Sequence, residues 1–363
     1  MSSTRLRDLH LLVARRRAAL LPGLDLAKLV GVEIGPLDAP LVTKSDGRII
    51  YVDHVSTDDL RAKYAKYTDV DVSEIVPIDI VWGDQPLPEL IGKGTVDYVL
   101  ASHVAEHVPN LIGWLRDMQS ILRPGGQLRI VLPDKRVSHD CLREETRVVD
   151  LLDAYVHNAR KPQARQILDC ALFVAANPLN PWKVYKGETR LDEVRPLHSC
   201  ETAVAIARDA LENDKYVDVH CWVFTPRTFA GLMRSLVEFG LIDFACAGFA
   251  DSSVDLFEFS IFLQPSDDRH AAIASWQHMQ ESVAIDLPGS AAEAEKRATR
   301  QPSRSNTQSE LDVMRRELDA LRQERQVILN STFWRAGAPL RSAGRAIPDS
   351  VRQRLRALLG RPA

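Results

Sequence analysis

Leu29-Val30-Gly31-Val32-Glu33-Ile34-Gly35-Pro36-Leu37 decides the fold. It reads as a short buried strand that runs into a glycine turn, with an acid at the strand's end. Ile49-Ile50-Tyr51-Val52-Asp53-His54 follows as a second strand that also ends in an acid. Open α/β sheets bind ligands outside the carboxyl ends of their strands, and strand, glycine turn, strand and acid together suit an adenosine-containing cofactor.

Working outward, further strands are expected at Ile78–Val81, Val96–Ala101, Gln127–Leu132, Leu241–Ala247 and Leu256–Leu263. Helices are expected between them at Thr57–Lys66, Leu111–Ile121, Thr146–Asn158, Glu201–Glu212 and Pro226–Phe239. That alternation implies βαβ units and a mostly parallel sheet. Residues 1–28 form an N-terminal segment whose residues 5–20 pattern as an amphipathic helix, with Arg15, Arg16 and Arg17 outward. Residues 29–265 form the α/β domain, with 143–219 as an insertion on the ligand edge. Residues 266–308 read as a linker.

The chain has 363 residues, 45% hydrophobic and 26% charged, which is ordinary for a soluble globular protein. Its net charge of −3 gives no global field for nucleic acid. The arginine-rich N-terminus lacks the apolar core and cleavage site of a secretory signal. Cys141, Cys170, Cys200, Cys221 and Cys246 are odd in number and never form a C-x-x-C pair. That fits reduced thiols in a cytosol.

Gly35 permits a sharp turn and a close backbone approach to a ligand. Asp53 can accept from both ribose hydroxyls, and charge-assisted bonds are roughly twice as strong as neutral ones. A dinucleotide fold would want G-x-G-x-x-G so that a pyrophosphate sits on a helix N-terminus. Here Pro36, Leu37, Asp38 and Ala39 follow Gly35. A bulky loop carrying an acid is a poor pyrophosphate cradle, so S-adenosylmethionine is favoured over NAD.

Val96-Asp97-Tyr98-Val99-Leu100-Ala101-Ser102-His103 adds a strand with a polar end, and Leu122-Arg123-Pro124-Gly125-Gly126-Gln127-Leu128 adds a helix stop before another strand. In that order, these motifs resemble the class I S-adenosylmethionine-dependent methyltransferases. Glu33–Val42, Tyr51–Asp53, His103–His107 and Pro133–Arg136 resemble, more narrowly, a bacterial subgroup associated with cell-surface polysaccharide biosynthesis. The resemblance covers roughly residues 29–264. It implies a Rossmann-like α/β fold, with a mostly parallel central sheet and helices on both faces. It implies that Glu33, Gly35 and Pro36 line the methionine side, that Asp53 and His54 lie at the ribose, and that Asp84 meets the adenine. Ser102 and His103 would lie under the methyl end. The family at large favours a second glycine where Leu37 stands.

Methyl transfer is an in-line displacement, so the protein must position the acceptor and remove its proton. Histidine is a natural base for a hydroxyl. His103 is the first expected base, followed by His139 and His220. Asp134 and Arg136 share the same edge and could bind a sugar or phosphate. Trp182 and Tyr185 could stack on a sugar ring or belong to the core.

His103-Val104-Ala105-Glu106-His107 matches H-x-x-E-H, a zinc-peptidase signature. A peptidase needs that motif inside a helix with a further acid on a second helix. Here it follows a strand directly, so no metal is expected.

Leu311, Met314, Leu318, Leu321 and Ile328 mark a short coiled coil over 309–330. The tail at 331–363 interleaves Arg335, Arg341, Arg345, Arg352, Arg354, Arg356 and Arg361 with apolar residues, a mixture suited to an acidic membrane surface or partner. Ile328–Arg335 resembles segments that follow coiled coils in bacterial surface-sugar enzymes. The expected function is O-methylation of a sugar or glycan intermediate by a cytoplasmic domain, with the coiled coil joining partners and the tail touching the inner membrane face. A non-catalytic scaffold built on a decayed methyltransferase fold is the alternative.

Overall fold

The two strands at the start of the chain form where the sequence places them. The computed structural model describes residues 3–67, 70–83, 85–177, 180–252 and 257–287, with isolated positions up to 295. In chain order the elements are α1 (Ser3–Leu20), β1 (Val30–Ile34), β2 (Arg48–Asp53), α2 (Thr57–Tyr64), β3 (Ile80–Val81), α3 (Leu87–Ile91) and β4 (Val96–Ser102). Then come α4 (Leu111–Ile121), β5 (Leu122–Pro133), α5 (Val148–Val156), α6 (Ala164–Phe173), α7 (Asn180–Tyr185) and α8 (Cys200–Glu212). The domain closes with α9 (Pro226–Glu238), β6 (Phe244–Ala250), β7 (Glu258–Pro265) and α10 (Arg269–Ser282).

The strands form one sheet in the order β3-β2-β1-β4-β5-β7-β6. β1 to β5 pair in parallel, and β7 runs antiparallel between β5 and β6. The central strands are apolar on both faces because helices cover both faces of a parallel sheet. Val32, Ile34, Val99 and Ala101 pack toward α4 and α9. Tyr51, Tyr98, Leu100 and Val131 pack toward Leu20 of α1 and the Leu41–Val42 loop. Gly31 registers against Tyr98, and a Cβ there would lie 2.1 Å from the Tyr98 ring. The glycine is therefore what lets that ring cross β1.

The order reverses between β1 and β4. Such a switch point opens a crevice at the carboxyl ends of the two strands. The loop at Gly35 and the junction at His103 flank it. α4 holds the floor in place: Asn110 caps its first turn by accepting from Gly113 N at 3.0 Å, while Leu111, Leu115, Met118 and Ile121 are buried along one stripe. Each such side chain contributes roughly 1.5–3 kcal/mol of burial.

Several expectations change. Pro-Gly-Gly does not end a helix before a separate strand; it lies inside β5, which starts at Leu122 and pairs Leu122 with Val96 across a register shift. β3 shrinks to two residues, and β6 and β7 begin later than the apolar runs suggest. The expected linker loses its first part to α10. Ala272, Trp276 and Met279, spaced four and three apart, bury one face of that helix. Three well-spaced apolar residues suffice for docking even where composition looks weak. Arg16 and Arg17 do not point outward: they bind Glu258 and Asp46. The coiled coil and basic tail lie outside the described residues. Among those described, no helix is long and apolar enough to cross a membrane.

Candidate functional site

Gly35 takes φ +66°, which favours glycine, and only Val104 would meet a Cβ there. Leu37, where a second glycine was missing, also takes a positive φ of 49°. The backbone therefore keeps the glycine-like turn and leaves Leu37 to bear its strain. Pro36 is buried beneath this loop. No helix follows β1; the chain turns through residues 36–46 straight into β2. Without a helix N-terminus at the loop, there is no cradle for a pyrophosphate.

Glu33 acts differently from the expectation that it lines the cofactor. Its carboxylate accepts from Leu41 N at 2.6 Å and Val42 N at 3.0 Å, which folds the loop back on β1. Burial pushes its pKa up to about 7, against the pull of those two amides and of Arg17.

Asp53, buried at the end of β2, uses Oδ1 for His54 N at 2.7 Å and His54 Nδ1 at 2.6 Å. Oδ2 has no partner among the described residues, so a ribose diol can reach it. His54 folds onto its neighbour and stacks on Tyr216, ring centroids 6.1 Å apart. Asp84 lies outside the described residues. Ser102, at the end of β4, has a buried hydroxyl with no hydrogen-bond partner. An open glycine turn, a half-free buried carboxylate and an orphaned hydroxyl on one edge fit a nucleoside cofactor without phosphates.

His103 follows with φ +54°, a strained conformation for a non-glycine residue. Its Nε2 is 2.7 Å from Glu258 Oε2, and Nδ1 lies 3.2 Å from Glu106 Oε1, a charge contact outside good hydrogen-bond alignment. Arg16 Nη2 binds Glu258 from the other side at 2.6 Å. Burial opposes the charge on His103, but the two carboxylates outweigh it and raise the pKa to about 9. The expected base at His103 therefore needs correction: a clamped imidazolium with both nitrogens engaged has no lone pair for an acceptor's proton.

His139 is exposed and its side chain forms no hydrogen bond among the described residues. His220 is held. Its Nδ1 is 2.6 Å from Asp140 Oδ2, and Arg143, fully buried, binds Asp140 Oδ1 at 2.7 Å and the His220 carbonyl at 2.9 Å. The stretch around His220 crosses the edge. Asp218 bridges Lys63 and His107, each at 3.0 Å, while Cys221 N and Trp222 N bind the Glu106 carbonyl. Asp134 and Arg136 do not face an acceptor. Asp134 takes four bonds from Arg136 and one from Ser252, and Arg136 also binds the carbonyls of Ala284 and Ile285. Tyr185 packs against Val137 and Leu287 as core; nothing is described for the Trp182 side chain.

A cavity of about 600 Å³ opens beside this stretch, walled by Glu144, Arg147, Asp150, Arg165 and Asp169, with Cys221 and Trp222 at its side. None of the cofactor-edge residues lines it, so it is separate from the cofactor crevice.

Sequence reading missed Glu258, Arg16, Asp140 and Asp218. Each is far in sequence from the side chain it holds: Glu258 from His103, Arg16 from Glu258, Asp140 from His220 and Asp218 from His107, so no local pattern marks them.

A family model described as a methyltransferase domain matches residues 23–236, more than half of the chain. No curated protein matches. Among solved structures, one described as a Zn-dependent alcohol dehydrogenase from Rhodobacter sphaeroides is 14% identical, covering 69% of this chain and 90% of that one, at a TM-score of 0.39. A SAM-dependent methyltransferase from Thermotoga maritima is 16% identical over 35% of this chain and 55% of that one, at 0.26. The CcbJ methyltransferase from Streptomyces caelestis is 18% identical over the same shares, at 0.25. This chain thus spans about half the length of those two methyltransferases. Similarities this low bear no weight on activity.

Proposed function

The chain belongs to the methyltransferase-domain family, and from that premise we propose that it transfers a methyl group from S-adenosylmethionine to a hydroxyl of a sugar or glycan intermediate. The cofactor supplies an activated sulfonium methyl. The chain's residues do the rest. Gly35 admits the cofactor to the backbone, Asp53 Oδ2 accepts from its ribose, and Ser102 offers a hydroxyl at the end of β4. Among these, the observation that carries the reading is Asp53, a buried acid at the end of β2 with one oxygen left free.

Activation of the acceptor hydroxyl falls to the cluster behind His103, where Glu106, His107 and His220 converge. The polysaccharide role rests on the motif resemblance, and partner or membrane contact through 309–363 rests on sequence pattern alone.

Calorimetric titration with S-adenosylmethionine tests the reading, followed by labelled-methyl transfer onto nucleotide sugars and lipid-linked glycans. Binding with transfer to one glycan class is the expected result. No heat and no thermal shift at millimolar cofactor would leave the non-catalytic scaffold in its place.

A further inference from the structure

Glu106 has no solvent exposure, and neither carboxylate oxygen has an aligned hydrogen bond. Buried polar groups are nearly always satisfied, and an uncompensated buried charge costs several kcal/mol. The His103 cation lies 3.2 Å from Oε1 but is not aligned to donate to it, so among the described residues both oxygens keep lone pairs for a further partner. One Glu106 oxygen and one ring nitrogen each from His107 and His220 all lie within 4.8 Å of one another. The two imidazoles stand edge to face, centroids 4.7 Å apart.

Both histidines are oriented from behind. His220 Nδ1 is hydrogen-bonded to Asp140 Oδ2 at 2.6 Å, and His107 Nδ1 is 3.0 Å from Asp218 Oδ1, an ion-pair contact not aligned as a hydrogen bond. Those carboxylates are themselves anchored by Arg143 and Lys63. With its Nδ1 bonded to Asp140, His220 has Nε2 left to donate a lone pair, while His107 Nδ1 is buried without a hydrogen bond among the described residues. A carboxylate behind each histidine is the usual support of metal-ligating imidazoles. The backbone ties Cys221 N and Trp222 N to the Glu106 carbonyl fix the two ligand-bearing segments together.

We infer that Glu106, His107 and His220 bind a divalent first-row cation of the zinc class. One carboxylate oxygen with two imidazole nitrogens suits zinc and its neighbours; magnesium and calcium take oxygen sets. Three protein ligands leave a position open, as in catalytic sites. The H-x-x-E-H motif thus contributes only its last two residues, and the third ligand comes from a distant loop. One consequence rests on the methyl-transfer reading. Held by Glu106, His107 and His220, such an ion would supply Lewis acidity that lowers the pKa of an acceptor hydroxyl.

The experiment strips the full chain with chelator and titrates it with Zn2+ by calorimetry, with Mg2+ in parallel. One Zn2+ per chain at roughly micromolar Kd or tighter, with Mg2+ silent at millimolar, is expected. Glu106→Gln and His220→Ala should each weaken Zn2+ at least about 100-fold, and Asp140→Asn, which leaves every ligand in place, about 10–100-fold. Zn2+ binding that all three variants leave unchanged, or no binding by the wild-type chain, overturns the inference. If the ligand variants do not fold, the spectrum of Co2+ added to wild type decides: intense tetrahedral d–d bands support the site, and the weak spectrum of aqueous Co2+ overturns it. Cofactor titration without metal is scored apart, so failure here leaves the methyl-transfer reading standing, and the reverse holds.

Discussion

Glu33 and Glu106 are both buried acids at the carboxyl edge of the same sheet, within five residues of a strand end, yet their surroundings are opposite. Two backbone amides meet Glu33, and burial raises its pKa to about 7. Three histidines surround Glu106; burial works to raise its pKa, but His103, first by direct contact and then by charge, brings it down, with a smaller pull from His107 and His220. Glu33 is bound to architecture, because its oxygens fold a loop. Glu106 is left for chemistry, because its oxygens find charge but no aligned donor. Position at a strand end does not tell the two apart; the donors around each one do.

The largest test of that contrast is His103→Ala. It removes the cation between Glu106 and Glu258 and should cost about 3–5 kcal/mol, read from the denaturant midpoint. The folded pKa of His103 is raised from 6.5 to about 9, so its contribution is full below pH 6.5 and is lost as pH rises through 9. Wild type and variant should therefore converge at high pH. A constant gap across that range would mean that packing, and not charge, holds the junction.

Glu33 should show a different pH window. Its pKa is raised from 4.5 to about 7, so its contribution is full below pH 4.5 and fades as pH rises through 7, close to 3 kcal/mol in all. Glu33→Gln keeps an acceptor for the loop amides and removes the titration. The wild-type melting temperature should fall by several degrees between about pH 5 and pH 8, and that of the variant should not. Parallel curves would place the titration elsewhere.

Asp53→Ala carries the smallest effect and the sharpest meaning. S-adenosylmethionine should bind about 10–100-fold more weakly by calorimetry, with little change in melting temperature. Unchanged affinity would remove Asp53 from the ribose and leave the free oxygen unexplained.

Much of the fold was legible because period and punctuation are local. The apolar runs at Val30–Ile34 and Val96–Ser102 and the 3.6-residue stripe of α4 gave strands and helix nearly to the residue. Boundaries failed where pairing overrode turn chemistry, as at Pro-Gly-Gly inside β5, and where three spaced side chains docked a helix that composition hid, as in α10. In the site, Asp53 and Ser102 were legible as strand ends. The state of His103 was not, because Glu258 and Arg16, which hold it charged, come from the far ends of the domain.

The sequence by itself determined a nucleoside-cofactor edge: strand ends, one glycine turn and a loop unsuited to pyrophosphate are written within a few residues of each other. Only the tertiary structure decided which ionisable groups meet. Glu106 and His107 acquire His220, Asp140 and Asp218 through the path of the chain after β5, and a side chain's charge and free lone pairs depend on those neighbours and on the water they exclude.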